Sequence, residues 1–211
     1  QIDLREIGPH IMFAPPRIWE GMLSRVQVKI GDADFVKRGL FNWALKVGTK
    51  AADARFEKRS LGSFDRLQER LAYMLVFNNL LDQLGLKRIR WAYTGGAALG
   101  PDVFRFFHAM GVNLKQGYGQ TETSGICVVH HDGDIKFQTV GTPLPGMEVK
   151  TDDHGEILVK GAMTFIGYYE NDEATRETIT EDGWVRTGDA GYFDDDGHLI
   201  VIDRAKDVMT L

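Results

Sequence analysis

Between Gln116 and Ser124 the chain reads Gln-Gly-Tyr-Gly-Gln-Thr-Glu-Thr-Ser, which gathers a ring, hydroxyls and a carboxylate into one short stretch. Tyr118 offers an aromatic face for a purine. Thr121 supplies a hydroxyl donor for a phosphate oxygen, and Glu122 a hard oxygen ligand of the kind Mg2+ takes. Further along, Thr187-Gly-Asp189 brings a carboxylate that can accept from both hydroxyls of a ribose, which an Asn would do less well. Arg204, in the run Asp203-Arg-Ala-Lys-Asp207, adds a guanidinium donor for the same sugar. Upstream, Thr94-Gly-Gly-Ala-Ala lets backbone approach a planar ligand, because Gly95 and Gly96 carry no Cβ. Each has a plainer reading on its own: a glycine-rich turn capping a strand, or a charged strand exit. Together they supply the types of group a nucleotide pocket would use.

The elements that must position these groups follow from periodicity and breakers. Ile11-Met-Phe-Ala reads as a short buried strand stopped by Pro15-Pro16. An amphipathic helix follows from about Arg17 to Lys29, closed by Gly31. Residues 32–60 alternate charged and apolar groups at helical spacing, as helix and exposed connection. Ser63 is a candidate cap for a helix running to Gly85, with Phe64, Leu67, Leu71, Met74, Leu75 and Leu81 on one face. Arg88–Tyr93, the Thr94 loop and Pro101–Met110 then read as strand, loop and helix, with Pro in the first turn and Gly111 past the end. Val112–Lys115 is a second strand leading into the Tyr118 loop. Two strands joined through a helix imply a parallel βαβ unit, whose strand-end loops bind ligands side by side. After about residue 125, short runs such as Glu148–Lys150, Gly155–Lys160 and His198–Asp203 alternate with Gly, Pro and Asp turns, as in a small antiparallel sheet or barrel. The organisation expected is an α/β part over 1–138 and a β-rich part over 139–203, with 204–211 beginning a hinge.

Composition bounds the partners. The chain has 211 residues, 43% hydrophobic and 26% charged, with a net charge of −5, which argues against nucleic acid. Basic residues concentrate over 37–59, where Lys37, Arg38, Lys46, Lys50, Arg55, Lys58 and Arg59 face only Asp53 and Glu57. That strip reads either as solvated surface or as a contact for polyphosphate or an anionic membrane. The single Cys127 excludes an internal disulfide and fits a reducing compartment such as the cytoplasm, as a buried or passive thiol. No run is apolar enough to span a bilayer, the most apolar being Leu71–Leu84, broken by Asn78, Asn79 and Asp82. His130-His131 lack a third ligand at a suggestive spacing and read as loop residues, and Asp194–His198 as a hairpin turn around Gly197.

Tyr118-Gly-Gln-Thr-Glu122, Thr187-Gly-Asp189 and Asp203-Arg-Ala-Lys-Asp207 together resemble the motifs of the AMP-forming adenylating enzymes. Val140–Gly146, Gly155-Glu-Ile-Leu, Gly167-Tyr-Tyr and Asp182-Gly-Trp184 fall in step with them. Phe13–Glu20 and the long segment before Thr94 resemble the long-chain fatty-acid–CoA ligases within that superfamily. The resemblance implies an α/β fold, a parallel βαβ layer of the family's large domain followed by a β-rich distorted-barrel subdomain. It implies ATP, Mg2+ and CoA, with a long-chain fatty acid as substrate: acyl-adenylate and pyrophosphate first, then acyl-CoA and AMP. Carried onto this sequence, Tyr118 packs on adenine, Thr121 meets the α-phosphate, Glu122 holds Mg2+, Asp189 and Arg204 bind ribose, and Lys206 is the hinge. Gly95, Gly96, Ala97, Gly117 and Gly119 complete the nucleotide and acyl walls. Trp19 lines or gates the acyl tunnel, or is simply a core Trp on an amphipathic helix. Gly117 stands where relatives often carry a larger residue.

Two catalytic elements of that family do not occur here, the Ser/Thr/Gly-rich phosphate loop and the C-terminal lysine. The chain therefore reads as a fragment of the large domain, inactive or nearly so by itself. Two alternatives stay open: transfer of the acyl group to a carrier protein, and a non-catalytic acyl- or nucleotide-binding module. Peripheral membrane contact and homo-oligomerisation through an uncovered apolar face are further expectations.

Overall fold

The computed structural model describes residues 2–205. Its contacts divide the chain into two compact units, Gln1–Lys115 and Gln116–Leu211. The class is α/β, with parallel pairing in the first unit and antiparallel sheet in the second.

The first unit is mostly helical. Its elements are α1 (Ile2–Ile7), β1 (Ile11–Phe13), α2 (Pro16–Gly31), α3 (Phe35–Phe56), α4 (Ser63–Ala72), a π-helical turn (Tyr73–Phe77), α5 (Asn78–Leu84), β2 (Trp91–Gly95) and α6 (Pro101–Ala109). β1 and β2 pair in parallel, Ile11 opposite Trp91 and Phe13 opposite Tyr93. Pro16 opens α2 at its first turn, where no amide is missed. Asp34 caps α3, its carboxylate accepting from the Lys37 amide at 2.9 Å. Gly85 ends α5 in the left-handed conformation at φ 76°, and a Cβ there would lie 2.6 Å from the Leu4 backbone. The core forms around Trp19, Phe77, Phe104 and Phe107, with Trp19 edge-on to Phe107 at 5.0 Å. Gly48 lets α3 close on the end of α6, since a Cβ would sit 2.3 Å from the Ala109 carbonyl oxygen. His108 at that same end is buried, and its Nε2–H donates to the Leu114 carbonyl at 2.8 Å.

Several elements depart from the sequence reading. The β1 strand is not buried, because it is an edge strand with Ile11 63% and Phe13 57% exposed. Residues 32–60, by contrast, are the expected helix and exposed connection, with one helix over Phe35–Phe56 and exposed non-helical residues at 57–60. Gly62, not Ser63, is the N-cap of α4. The apolar stripe Phe64, Leu67, Leu71, Met74 and Leu75 faces outward, while Ala72, Phe77, Leu81 and Leu84 face the core. The π turn adds a residue and shifts the helical phase after Phe77, so Leu81 leaves the stripe and turns to the core, while Phe64, Leu67 and Leu71, which precede the turn, stay exposed. The basic strip is largely ion-paired within the unit, Lys37 to Asp34, Lys50 to Asp65, Arg55 to Glu69 and Arg59 to Glu57. That favours solvated surface over an anion-binding face.

The second unit carries β3 (Leu114–Gln120, which starts just before the division), a 3-10 turn (Thr121–Thr123), β4 (Gly125–Val129), β5 (Thr142–Pro143), β6 (Met147–Thr151), β7 (Glu156–Gly161), α7 (Asp172–Thr178), β8 (Val185–Phe193) and β9 (Leu199–Arg204). β3, β4 and β5 pair antiparallel, and β6-β7-β8-β9 form an antiparallel meander. Cys127, Val128, Val140, Met147, Ile157, Val159 and Leu199 make its core. Cys127 is fully buried, and burial pushes its thiol up, in keeping with a passive role. Asp194 makes the β8–β9 turn by accepting from the Asp196 and His198 amides, with Gly197 at φ 78°.

Candidate functional site

The expected Tyr118 loop is a strand. Gly117, Tyr118 and Gly119 belong to β3 and pair with Val129, Val128 and Ile126 of β4, with a bulge between Tyr118 and Gly119. Glycine permits this: a Cβ on Gly119 would lie 1.8 Å from the Gly125 carbonyl oxygen, and one on Gly117 3.0 Å from the Ile126 side chain. Only Thr121–Thr123 turns, followed by Ser124 at φ 54° and Gly125 at φ 110°. Fully buried Thr123 holds that turn, its hydroxyl accepting from the Gln120 amide at 3.0 Å. Thr121 and Glu122 are consequently turned outward, with Thr121 exposed and Glu122 half-buried.

Glu122 is held at two points. Its carbonyl accepts from the Phe165 amide at 2.8 Å, and its Oε1 accepts from the Tyr168 hydroxyl at 2.8 Å. That bond to a carboxylate raises the Tyr168 hydroxyl above its ordinary pKa.

Asp189 lies mid-strand in β8, where Gly188 takes φ 71° and the pairing with β7 shifts register between Glu156 and Leu158. The amide freed by the shift is not orphaned, because Gly188 N–H donates to Glu156 Oε1 at 3.0 Å. The Asp189 amide donates to Thr187 Oγ1 at 3.1 Å, and that hydroxyl donates to the Ile157 carbonyl at 2.7 Å. So braced, the Asp189 carboxylate accepts from the Tyr118 hydroxyl at 2.7 Å. It also pairs with Arg204 Nη1 at 3.3 Å, its cross-strand partner on β9. Burial, then the neighbouring carboxylate, push the Tyr118 hydroxyl far above its usual range, so it stays protonated and donates to Asp189. Residues 71 apart in sequence thus form one carboxylate flanked by a phenol and a guanidinium.

β3 is anchored at its base by a buried chain of side chains. The Gln116 amide donates to His130 Nδ1 at 3.0 Å, so Nε2 carries the hydrogen and donates to Thr139 Oγ1 at 3.0 Å. Thr139 Oγ1 meets His198 Nδ1 at 3.0 Å, and His198 Nε2 meets Asp134 Oδ2 at 2.9 Å. His130 is thus the loop residue expected, just past the end of β4, and it is buried and structural. Its neighbour in the chain, His131, is exposed.

In the first unit, Thr94, next to last in β2, is fully buried with no hydrogen-bond partner for its hydroxyl. Gly96 adopts φ 85° with open space around its missing Cβ, and Gly96 and Ala97 are exposed while Gly95 is buried. Trp19 is completely buried and its indole N–H donates to the Ala14 carbonyl at 3.1 Å, which supports the core reading. Lys206 lies outside the described residues. Sequence reasoning missed Glu156, Thr187 and Tyr168, whose contribution is contact across strands and loops that spacing does not encode.

A family model described as AMP-binding enzyme matches residues 2–169, most of the chain. The chain belongs to the AMP-binding enzyme family. Among its curated relatives, a putative fatty-acid–CoA ligase fadD11 of Mycobacterium tuberculosis is 32% identical over 98% of this chain and 36% of its own length. A long-chain-fatty-acid–CoA ligase FadD15 of Mycobacterium bovis is 33% identical over 95% of the chain and 33% of its own length. The chain thus spans about a third of the length of such relatives. The O-succinylbenzoate coenzyme A synthetase MenE of Bacillus subtilis, solved with ATP and a magnesium ion, superposes with a TM-score of 0.54. It is 30% identical and is matched over 57% of this chain and 28% of its own. Apo MatB of Rhodopseudomonas palustris gives a TM-score of 0.55 at 29% identity, covering 65% of this chain and 30% of its own.

Proposed function

We propose that this chain is the nucleotide-holding part of an ATP-dependent long-chain fatty-acid–CoA ligase. The observation that carries the reading is the Asp189 carboxylate, braced by Thr187 and flanked by Tyr118 and Arg204. A carboxylate fixed this way accepts from vicinal ribose hydroxyls without having to be ordered first, which lowers the cost of binding. Arg204 donates to the sugar beside it. The Tyr118 hydroxyl, tied to Asp189, fixes the ring that faces adenine. Thr121, exposed on the 3-10 turn, donates to the α-phosphate. Gly95, Gly96 and Ala97 are assigned to nucleotide binding, and Gly117 and Gly119, whose missing side chains let β4 pack against β3, to the strand that carries Tyr118. Lys206 is the hinge of the full-length enzyme.

Magnesium fits the Glu122 turn in one sense only. Among the described residues no group of three or more His, Cys, Asp or Glu side chains gathers to form a cage. Glu122 does leave Oε2 without a partner among the described residues, next in sequence to the exposed Thr121, and Mg2+ bound with substrate phosphates needs only one or two carboxylates. When bound, the ion neutralises charge on the phosphates. Glu122 would hold it, and Thr121 would orient the oxygen beside it.

The substrate and acceptor we propose are a long-chain fatty acid and CoA, on the strength of the ligase relatives. The setting proposed is the cytoplasm, supported by the free, buried Cys127. No helix among the described residues is long and apolar enough to cross a membrane. The test is fatty-acid-dependent exchange of pyrophosphate into ATP by the full-length protein, followed by CoA-dependent release of AMP. Exchange that rises with alkyl chain length and proceeds to acyl-CoA supports the reading. Exchange without turnover by CoA would move the acceptor to a carrier thiol, and no exchange would reject the ligase.

A further inference from the structure

Tyr168 and Phe165 together grip the residue to which the metal is assigned. Phe165 binds the Glu122 carbonyl through its amide, and Tyr168 binds the Glu122 carboxylate through its hydroxyl, each at 2.8 Å. The two rings pack edge to face at 4.9 Å, so the two contacts act as one piece. That piece is tied down from behind. The Tyr168 amide donates to Thr175 Oγ1 at 2.9 Å, and this hydroxyl donates to the Asn171 carbonyl at 2.8 Å. Gly167 takes φ 146°, and a Cβ there would lie 2.9 Å from the Thr175 methyl. Asn171 in turn caps α7 through the Ala174 amide at 3.1 Å.

The consequence is an asymmetric carboxylate. Oε1 carries a donor, and Oε2 has no partner among the described residues. An exposed glutamate left to solvent would sample several rotamers and offer either oxygen. A glutamate pinned at both its carbonyl and one carboxylate oxygen offers a single oxygen in a fixed direction. One oxygen per carboxylate suits Mg2+, which demands near-octahedral geometry, and partners that orient a ligand contribute to affinity without touching the ion.

We propose that Tyr168 is a positioning residue, holding Glu122 so that Oε2 is presented to a metal–nucleotide complex. This rests on the reading of Glu122 as the metal-bearing carboxylate. The prediction concerns affinity for metal-laden nucleotide and not for nucleotide alone.

The test uses the full-length protein, with Mn2+ in place of Mg2+ and a non-hydrolysable ATP analogue. Electron paramagnetic resonance follows the bound Mn2+–nucleotide signal, and AMP without metal is titrated in parallel. Glu122→Gln is expected to weaken Mn2+–nucleotide binding by about tenfold or more, and Tyr168→Phe by about tenfold, within the range of about 10–100-fold for groups that orient metal ligands. Both variants should bind metal-free AMP as the parent does. If Glu122→Gln weakens binding while Tyr168→Phe stays within about twofold of the parent, Tyr168 does not position Glu122. If Tyr168→Phe weakens metal-free AMP equally, its role is only structural and the inference fails. If Glu122→Gln itself changes nothing, Glu122 is not the metal carboxylate, and the proposal falls with that assignment.

Discussion

His108 gives the chain a titration that can be read directly in its stability. Its ring is buried between Phe56 and Phe104, and Nε2–H donates to the Leu114 carbonyl. Burial, the largest cause, holds its pKa at about 4 against an ordinary 6.5, with the Arg55 charge adding to the depression and the Leu114 bond opposing it. Below about pH 6.5 the unfolded chain therefore binds a proton that the folded chain refuses, so stability falls with falling pH until the folded pKa is passed. Between about pH 7 and pH 5 this one residue removes about 2 kcal/mol, and by about pH 4 about 3 kcal/mol. Carboxylates remain mostly ionised at the upper end of that window, which makes the pH 7 to 5 comparison the cleaner one. The perturbation is His108→Phe, which keeps the ring and removes the titration. Urea unfolding at both pH values gives the assay. The variant is expected to be less stable at pH 7, because the Leu114 carbonyl loses its donor, yet to lose about 2 kcal/mol less than the parent on going to pH 5. The other five histidines contribute equally to both proteins and cancel. A parent and variant with the same pH slope would refute the burial argument.

The site carries its own predictions. Gly119→Ala drives a methyl into the Gly125 carbonyl and should cost about 1–3 kcal/mol in urea unfolding, as overpacking does. Gly96→Ala meets nothing but holds φ 85°, so its cost should be the backbone penalty alone, about 1–2 kcal/mol. Tyr118→Phe removes a hydrogen bond to a carboxylate and should lower unfolding free energy by about 1.5–3 kcal/mol, an effect that Asp189→Asn in the same chain should shrink in a double-mutant cycle.

The parts of this fold that sequence made legible are those with local rules. Pro15-Pro16 ends the first strand, Pro101 opens a helix, Gly85 and Gly111 follow helix ends, and Gly197 turns a hairpin, each from a preference of one residue type. The residues of the candidate site were legible as types, because Tyr118, Asp189 and Arg204 sit in motifs. Their arrangement was not. A bulge in β8 and a register shift against β7 aim Asp189 at Tyr118, and nothing in a run of Thr-Gly-Asp encodes a bulge. The Tyr118 segment reads as a loop because glycines usually break strands, whereas here they let β3 and β4 close around a three-residue turn. Leu81 reads onto the same stripe as Phe64 and Leu67 because a π turn changes helical phase without leaving a mark in composition. Tyr168 lies 46 residues from the glutamate it holds, beyond the reach of any periodicity.

The most direct test of the adenylate pocket is calorimetric titration of the full-length protein with a non-hydrolysable long-chain acyl-adenylate analogue, beside Asp189→Asn. Loss of the charge that faces the ribose hydroxyls should weaken binding by about 10–100-fold in a variant that remains folded by circular dichroism, as expected for hydrogen bonds of about 1.5–3 kcal/mol to a charged group. A folded Asp189→Asn protein that binds the analogue as tightly as the parent would contradict the assignment of Asp189 to ribose and the pocket built around it.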